Sequence, residues 1–62
     1  MTDFQKKLPL YKTAYSPNLG VYVGIANVFF NEDWDEWCIQ ARPAGDTRLF
    51  TFTPDELTNY CL

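Results

Sequence analysis

Hydrophobic and polar residues alternate over most of the chain, in short segments separated by residues that favour turns. The breaks stand at Pro9, Pro17-Asn18, Gly20, Asn31, Pro43-Ala44-Gly45-Asp46 and Pro54. Between them the segments are rich in aromatic and β-branched side chains, which favour strands. The pattern predicts an all-β chain of about five short antiparallel strands.

The first two segments differ in strength. Residues 8–15 have a proline, Pro9, at their second position, which suits the start of a strand or an outer strand, so they predict an edge strand or an extended arm. A turn follows over residues 16–20, with Gly20 or Asn18 free to adopt positive φ.

Residues 21–30 form the strongest predicted strand. One face carries Tyr22, Gly24, Ala26, Val28 and Phe30, and the other carries Val21, Val23, Ile25 and Phe29 until the alternation breaks down. Apolar residues on both faces predict either burial on both sides or a β-bulge. Gly24 in mid-strand favours a bend.

Two further strands follow a polar hairpin loop at residues 31–36. The strand over residues 36–42 predicts Trp37, Ile39 and Ala41 inward and Glu36, Cys38, Gln40 and Arg42 outward. After a tight turn at residues 43–46, the strand over residues 47–53 predicts Phe50 and Phe52 on one face and Leu49, Thr51 and Thr53 on the other.

The stretch Thr53-Pro54-Asp55-Glu56 has the form of a helix start. Thr53 can cap, Pro54 suits the first helical position, and Glu56 can accept a bond from the Thr53 N–H. The outcome is either one 3-10 or α turn near residues 54–57 followed by a short strand, or a short helix that runs to the end. We favour the single turn.

Length and composition define a single small domain over residues 1–62. A chain of this size has a marginal core, and the 47 % hydrophobic content with eleven aromatic rings is an efficient way to build one. Disulfides, a metal or self-association usually add stability to such domains. Of these, self-association fits best, and we expect a homo-oligomer.

Charge and the N-terminal segment limit the partners. A net charge of −3 with five scattered Lys and Arg disfavours nucleic acids and anionic membranes. Residues 1–7 lack the apolar run of a signal peptide, and no segment is long enough to span a membrane. We therefore expect a cytoplasmic protein.

Catalytic and metal-binding groups are sparse. The chain has no histidine, so Cys38 and Cys61 lack partners for a zinc site and a base that would activate a thiol. They are expected to be reduced thiols, with a single Cys38–Cys61 bridge as the alternative. The sequence predicts no enzyme, no metal and no cofactor.

The hairpin loop is the best candidate contact surface. Trp34 stands among four carboxylates, those of Glu32, Asp33, Asp35 and Glu36. Trp is frequent at interface hot spots, and a negative rim attracts a basic partner. In the alternative, Trp34 folds back onto the core beside Trp37 and Phe30.

The order of strand, hairpin, strand, tight turn, strand, helical turn and short strand over residues 20–62 resembles the SH3-like small barrel. The closing stretch, residues 49–57, looks like the strand and turn that end such barrels. The resemblance implies a five-stranded SH3-like barrel, and this superfold hosts many unrelated functions.

Type II dihydrofolate reductases, which have this layout, carry a Val-Gln-Ile-Tyr-Pro run that lines a pore between four subunits. Placed on the shared proline, this chain reads Phe50-Thr51-Phe52-Thr53-Pro54. Thr51 and Thr53 replace the functional Gln and Tyr, so reductase activity is not expected.

Signalling SH3 domains bind proline-rich peptides through an Ala-Leu-Tyr-Asp-Tyr-like stretch, a Trp, a Pro and an Asn-Tyr pair. The similar residues here are those of the stretch 10–15, with Tyr11 and Tyr15, and then Trp37, Pro54 and Asn59-Tyr60, although the spacings depart. The resemblance adds Tyr11 and Tyr15 to the candidate partner contacts.

The sequence thus predicts a small cytoplasmic protein-interaction module that binds a protein, basic or a second copy of itself. Short chains without catalytic groups are common on mobile elements, which makes an inhibitor of a host enzyme a special case. The alternative is an oligomeric barrel that binds or acts on a small ligand between subunits.

Overall fold

The computed structural model describes residues 3–62 and confirms the all-β class. Its elements are α1 (Asp3–Lys7), a first 3-10 turn (Leu8–Leu10), β1 (Thr13–Ser16), β2 (Val21–Asn31), β3 (Glu36–Pro43), β4 (Phe50–Phe52), a second 3-10 turn (Pro54–Glu56) and β5 (Thr58–Cys61). Met1 and Thr2, the first residues of the segment tested for a signal peptide, lie outside this range. Within it, no helix has the length and apolar character needed to cross a bilayer.

The five strands form one antiparallel sheet in the order β4-β3-β2-β1-β5. Neighbours in the sheet are also neighbours along the chain, except for β1 and β5. The last strand therefore returns to pair with the first one, through Thr13↔Cys61 and Tyr15↔Thr58. This arrangement is compatible with an SH3-like small β fold.

The prediction for residues 8–15 is wrong in two respects. Pro9 lies in the first 3-10 turn rather than in a strand, and β1 begins only at Thr13. The fixed φ and missing N–H of proline suit the start of a helical turn, and this turn places Leu8 in the core with no exposed surface. Moreover β1 is not an edge strand, because β5 covers its outer side and the Lys12 N–H donates to the Cys61 carbonyl at 2.8 Å.

A bulge decides which side chains of β2 face the core. The register with β3 runs Ile25↔Ala41 and then Asn27↔Gln40, so Ala26 is the extra residue. Of the two alternatives from the sequence, the bulge is confirmed, and it lies two residues beyond Gly24, where the sequence favours a bend. Burial on both sides does not occur, because Tyr22 and Phe29 on the other face are 53 % and 38 % exposed.

The core is aliphatic at its centre and aromatic at its margin. Its buried members are Leu8, Ala14, Val23, Ile39, Ala41, Phe52 and Leu57. Only one of the eleven rings, Phe52, is buried, and the other rings that contact the core are partly exposed. Aliphatic side chains therefore fill most of the small core, and most of the aromatic rings pack around its margin.

Strand β3 follows the predicted alternation with one exception. Ile39 and Ala41 are buried, and Trp37 is half-buried, as predicted. Cys38, predicted to point outward, is buried as well, with 7 % of its surface exposed. The thiol is small and stands on an interior strand opposite the large ring of Phe29, so the outer face covers it.

Strand β4 is shorter than predicted because residues 46–48 form a local structure of their own. Asp46 accepts hydrogen bonds from the Arg48 backbone N–H at 2.9 Å and from its guanidinium, also at 2.9 Å. The hydrogen bond from the Arg48 side chain lowers the pKa of Asp46 to about 2. Phe50 and Phe52, predicted to share one face, both meet the core: Phe52 is buried and Phe50 packs against the core.

The helix start at Thr53 is confirmed, as is the single turn followed by a short strand. The Thr53 N–H donates to Glu56 Oε1 at 2.9 Å, and the Thr53 hydroxyl donates to Asp55 Oδ1 at 2.6 Å. The bond from the Thr53 hydroxyl lowers the pKa of Asp55. This capping box fixes the corner at which the chain leaves β4 for β5.

We expect Thr53→Ala to lower the free energy of unfolding by about 1 kcal/mol, since loss of a capping hydroxyl has an effect of that size. Thr51→Ala, at an exposed position of β4, is the matched control and is expected to change it by less than about 0.5 kcal/mol. Denaturant unfolding measures both. Equal losses from the two variants would show that the capping box does not stabilise the corner.

Candidate protein-interaction surface

The β2–β3 hairpin ends in a loop whose shape is set by its own side chains. We call residues 31–36 the hairpin tip. Asn31 Oδ1 accepts the backbone N–H of Asp33 at 3.0 Å and that of Trp34 at 3.4 Å, and Asp35 has a φ of 52°. Asn and Asp tolerate such turns better than most residues do. The tip therefore has a defined backbone on which Trp34 is held.

Trp34 points into solvent, with 75 % of its surface exposed. The alternative in which it folds back onto the core is not adopted. Phe30 and Trp37 pair with each other instead, in an edge-to-face contact with their ring centroids 5.5 Å apart. Trp34 thus stands beyond this pair as a large apolar side chain at the end of the hairpin.

The hairpin tip holds half of the acidic residues of the chain. Glu32, Asp33, Asp35 and Glu36 are all exposed. None of the five Lys and Arg residues lies in the tip, so the tip carries −4 while the rest of the chain carries +1. Like charges on one small loop create a local negative potential that the remainder of the molecule does not share.

The aromatic surface continues from the tip along both faces of the hairpin. Phe30 is 43 % exposed on the core side and Phe29 is 38 % exposed on the outer side. With Trp34 at its end, the hairpin presents apolar area on its core side, on its outer side and at its tip. Such area, next to a polar rim, is typical of a contact surface.

The structure does not bring the two candidate tyrosines to the hairpin tip. Tyr15 packs edge-to-face against Tyr22 with centroids 5.0 Å apart, at the opposite end of β2. Tyr11 lies in a different group, 5.1 Å from Tyr60. The seven residues singled out from the sequence therefore occupy three places, and only the five at the tip stand together.

The group around Tyr11 is an aromatic cluster of Phe4, Tyr11 and Tyr60. Phe4 lies edge-to-face on Tyr60 with centroids 5.1 Å apart. The Tyr60 hydroxyl donates to the Pro54 carbonyl at 2.8 Å. Three of the residues that resemble the peptide groove of signalling SH3 domains thus meet here, whereas Trp37 pairs with Phe30.

Phe4 is a member of this cluster that the sequence did not indicate. It stands alone in a polar segment, and no periodicity marks it as a packing residue. Its contact depends on β5 returning beside β1, which no local pattern reveals.

Neither thiols nor carboxylates assemble into a reactive group in the described part of the chain. Cys38 is buried and Cys61 is exposed, and both are free, so the alternative of a bridge is not adopted. Within residues 3–62, no three His, Cys, Asp or Glu side chains converge in a way that could hold a metal ion.

Comparison of the chain with protein-family models, with curated proteins and with solved structures gives no match. The geometry of the chain itself is therefore the basis for the functional argument.

Tyr60 makes a pH-dependent contribution to stability. Burial, followed by the nearby charges of Asp55 and Tyr11, raises the pKa of Tyr60 to about 12 from the ordinary value of 10.0. Because the unfolded chain releases this proton more readily, the contribution is complete below about pH 10 and is lost as the pH rises to about 12.

We expect Tyr60→Phe to remove the part of the alkaline loss of stability that this hydroxyl causes. Tyr22→Phe, which deletes a hydroxyl from an exposed ring, should leave that loss unchanged. Unfolding followed by circular dichroism over this pH range, with tyrosinate absorbance in parallel, measures both. The same pH dependence in all three proteins would contradict the assignment.

Proposed function

We propose that the chain is a small protein-interaction module and that the hairpin tip is its contact surface. The single observation that carries this proposal is the exposure of Trp34, which is 75 % accessible within a ring of four exposed carboxylates. A large ring left in water contributes nothing to the core, whereas it gains free energy as soon as a partner covers it.

The backbone of the tip supports this role because it is organised before any partner arrives. The two hydrogen bonds that Asn31 Oδ1 accepts hold the turn that carries Trp34. A loop that is already ordered loses less conformational entropy on binding than a loose one. Binding through Trp34 therefore needs little rearrangement of the chain.

The charge of the tip defines the class of partner as basic. Four carboxylates in a loop that holds no Lys or Arg attract a protein surface that carries Lys and Arg, and they repel acidic surfaces. Exposed charges of this kind act mainly on the rate of association and on selectivity. Trp34 then supplies affinity, and the carboxylates select the partner.

We further propose that the sheet belongs to the SH3-like small barrels. The strand order, with β5 beside β1 and a 3-10 turn before β5, supports this assignment. Because this superfold hosts many functions, the assignment adds nothing to the argument from the tip. A cytoplasmic location, an origin on a mobile element and the alternative of an oligomeric ligand-binding barrel stay predictions from the sequence.

We expect Trp34→Ala to weaken partner binding by about thirtyfold or more, the loss associated with a hot-spot side chain. Affinity capture from the native cells with the wild-type chain, followed by mass spectrometry, identifies the partner. Titration with the purified partner then gives the dissociation constants.

Tyr22→Ala is the matched control, because Tyr22 is an exposed ring (53 %) at the far end of β2. Its affinity should equal that of the wild type, and circular dichroism should show that both variants are folded. If a folded Trp34→Ala variant binds the partner as tightly as the wild type does, the hairpin tip is not the contact.

Replacement of the four carboxylates by amides (Glu32→Gln, Asp33→Asn, Asp35→Asn and Glu36→Gln) tests the charge of the partner. We expect slower association, a smaller dependence of the association rate on salt, and a dissociation rate that changes less. Stopped-flow or surface-plasmon measurements over a salt series give both rates. An unchanged salt dependence would rule out a basic partner while leaving the role of Trp34 intact.

A further inference from the structure

Strand β2 is longer than its neighbour β1, and half of it has a partner on one side only. The pairing with β1 runs from Ser16↔Val21 to Thr13↔Gly24, and the Ile25 N–H adds a bond to the Lys12 carbonyl at 2.8 Å. Beyond that point, residues 27–31 pair with β3 alone. We call this segment of β2 the open edge.

The backbone of the open edge has hydrogen-bonding groups that point away from the sheet. Before the bulge, Tyr22 bonds toward the β3 side, where its carbonyl accepts the Ala44 N–H at 2.8 Å, and Ile25 bonds toward β1. These directions alternate along a strand, and the extra residue Ala26 shifts the alternation by one. Val28 and Phe30 therefore direct their N–H and C=O groups outward.

Other edges of the sheet are short or covered, in contrast to this one. Strand β4 has three residues, and the second 3-10 turn, which begins with Pro54, lies against β3 next to it. Strand β5 contains Asn59 at a φ of 53°, which interrupts its extended backbone. The first 3-10 turn contacts β2, but within residues 3–62 none of its backbone groups bonds to the open edge.

The side chains of the open edge also favour pairing. The segment reads Asn27-Val28-Phe29-Phe30-Asn31, with no charge, no proline and no glycine. Its register with β3 is regular throughout, because the bulge lies before it. Natural edge strands are usually protected by Lys, Pro or a bulge, and a segment of about 17 Å without them is a template for another strand.

We propose that two copies of the chain join along this edge, with β2 antiparallel to β2 of the second copy, to form a homodimer whose sheet continues from one copy into the other. Antiparallel pairing of one segment with itself is self-complementary and closes after two copies, as a two-fold interface requires. A domain this small gains stability from such pairing, since its own core is limited.

The distribution of charge favours a second copy of the chain, rather than a strand of another protein, as the partner of the open edge. Antiparallel pairing places the two acidic hairpin tips at opposite ends of the joined edges, so their charges do not face each other. Each tip instead lies toward the first residue of β1 in the other copy, next to the exposed cation Lys12, which precedes that strand. The net −4 of one tip thus approaches a positive group in both halves of the dimer.

The test is the mass of the chain in sedimentation over a wide concentration series. We expect twice the mass of one chain for the wild type, and the mass of one chain for Phe29→Lys, which places like charges across the two-fold axis. Asn27→Asp, at a second exposed position of the same face, places a negative charge next to the acidic hairpin tip of the other copy and should also give the mass of one chain. Tyr22→Lys is the matched control on the part of β2 that β1 covers, and it should stay dimeric.

Amide hydrogen exchange then locates the interface. In the dimer, the N–H groups of Val28 and Phe30 should exchange slowly, and in folded Phe29→Lys they should exchange faster by at least tenfold. The proposal fails if the wild type is monomeric throughout the series. It also fails if a dimer persists in both Phe29→Lys and Asn27→Asp, if Tyr22→Lys dissociates it equally, or if these two amides are unprotected in the dimer. Trp34 is unchanged in every variant, so partner binding can be scored separately.

Discussion

The structure depends on one constraint, namely that a 62-residue chain can cover only part of a single sheet. Seven residues form the buried core: Leu8 of the first 3-10 turn, Ala14 of β1, Val23 of β2, Ile39 and Ala41 of β3, Phe52 of β4, and Leu57, which follows the second 3-10 turn. Strands β2 and β3 are longer than this region. Their ends at the hairpin loop therefore extend beyond the core, and the exposure of Phe30 and Trp34 follows from that extension, whereas Phe29 is exposed because it lies on the outer face. The surfaces available for binding are in this sense a product of the small core.

Features set by neighbouring residues could be read from the sequence. The turns at residues 16–20 and 43–46, the hairpin loop, and the capping box at Thr53 all depend on side chains within a few positions of each other. The break in the alternation of apolar residues along β2 also indicates the bulge. The predictions for residues 8–15 and for Cys38 are wrong because the structure at these residues depends on distant parts of the chain. Strand β5 covers β1, and Phe29 stands opposite the Cys38 thiol.

The same division applies to the candidate site. The hairpin tip could be identified because its Trp and its four acids are consecutive in the sequence. Tyr11 and Tyr15 were grouped with it by resemblance, yet strand pairing sends them to other parts of the molecule. The open edge has no signature of its own in the sequence, since it exists only because β1 begins at Thr13, opposite Gly24, while β2 continues to Asn31. A difference in length between two paired strands is not visible in either strand alone.

The pairing of β1 with β5 has a consequence for how the chain folds. Every other ladder joins consecutive strands and closes through a short loop, so those contacts are local in sequence. The β1–β5 ladder, by contrast, joins residues 13–15 to residues 58–61 and encloses the whole β2-β3-β4 meander. Its loop-closure entropy is the largest in the molecule, and long-range contacts of this kind slow folding. We therefore expect the docking of the last strand to contribute the most to the barrier to folding.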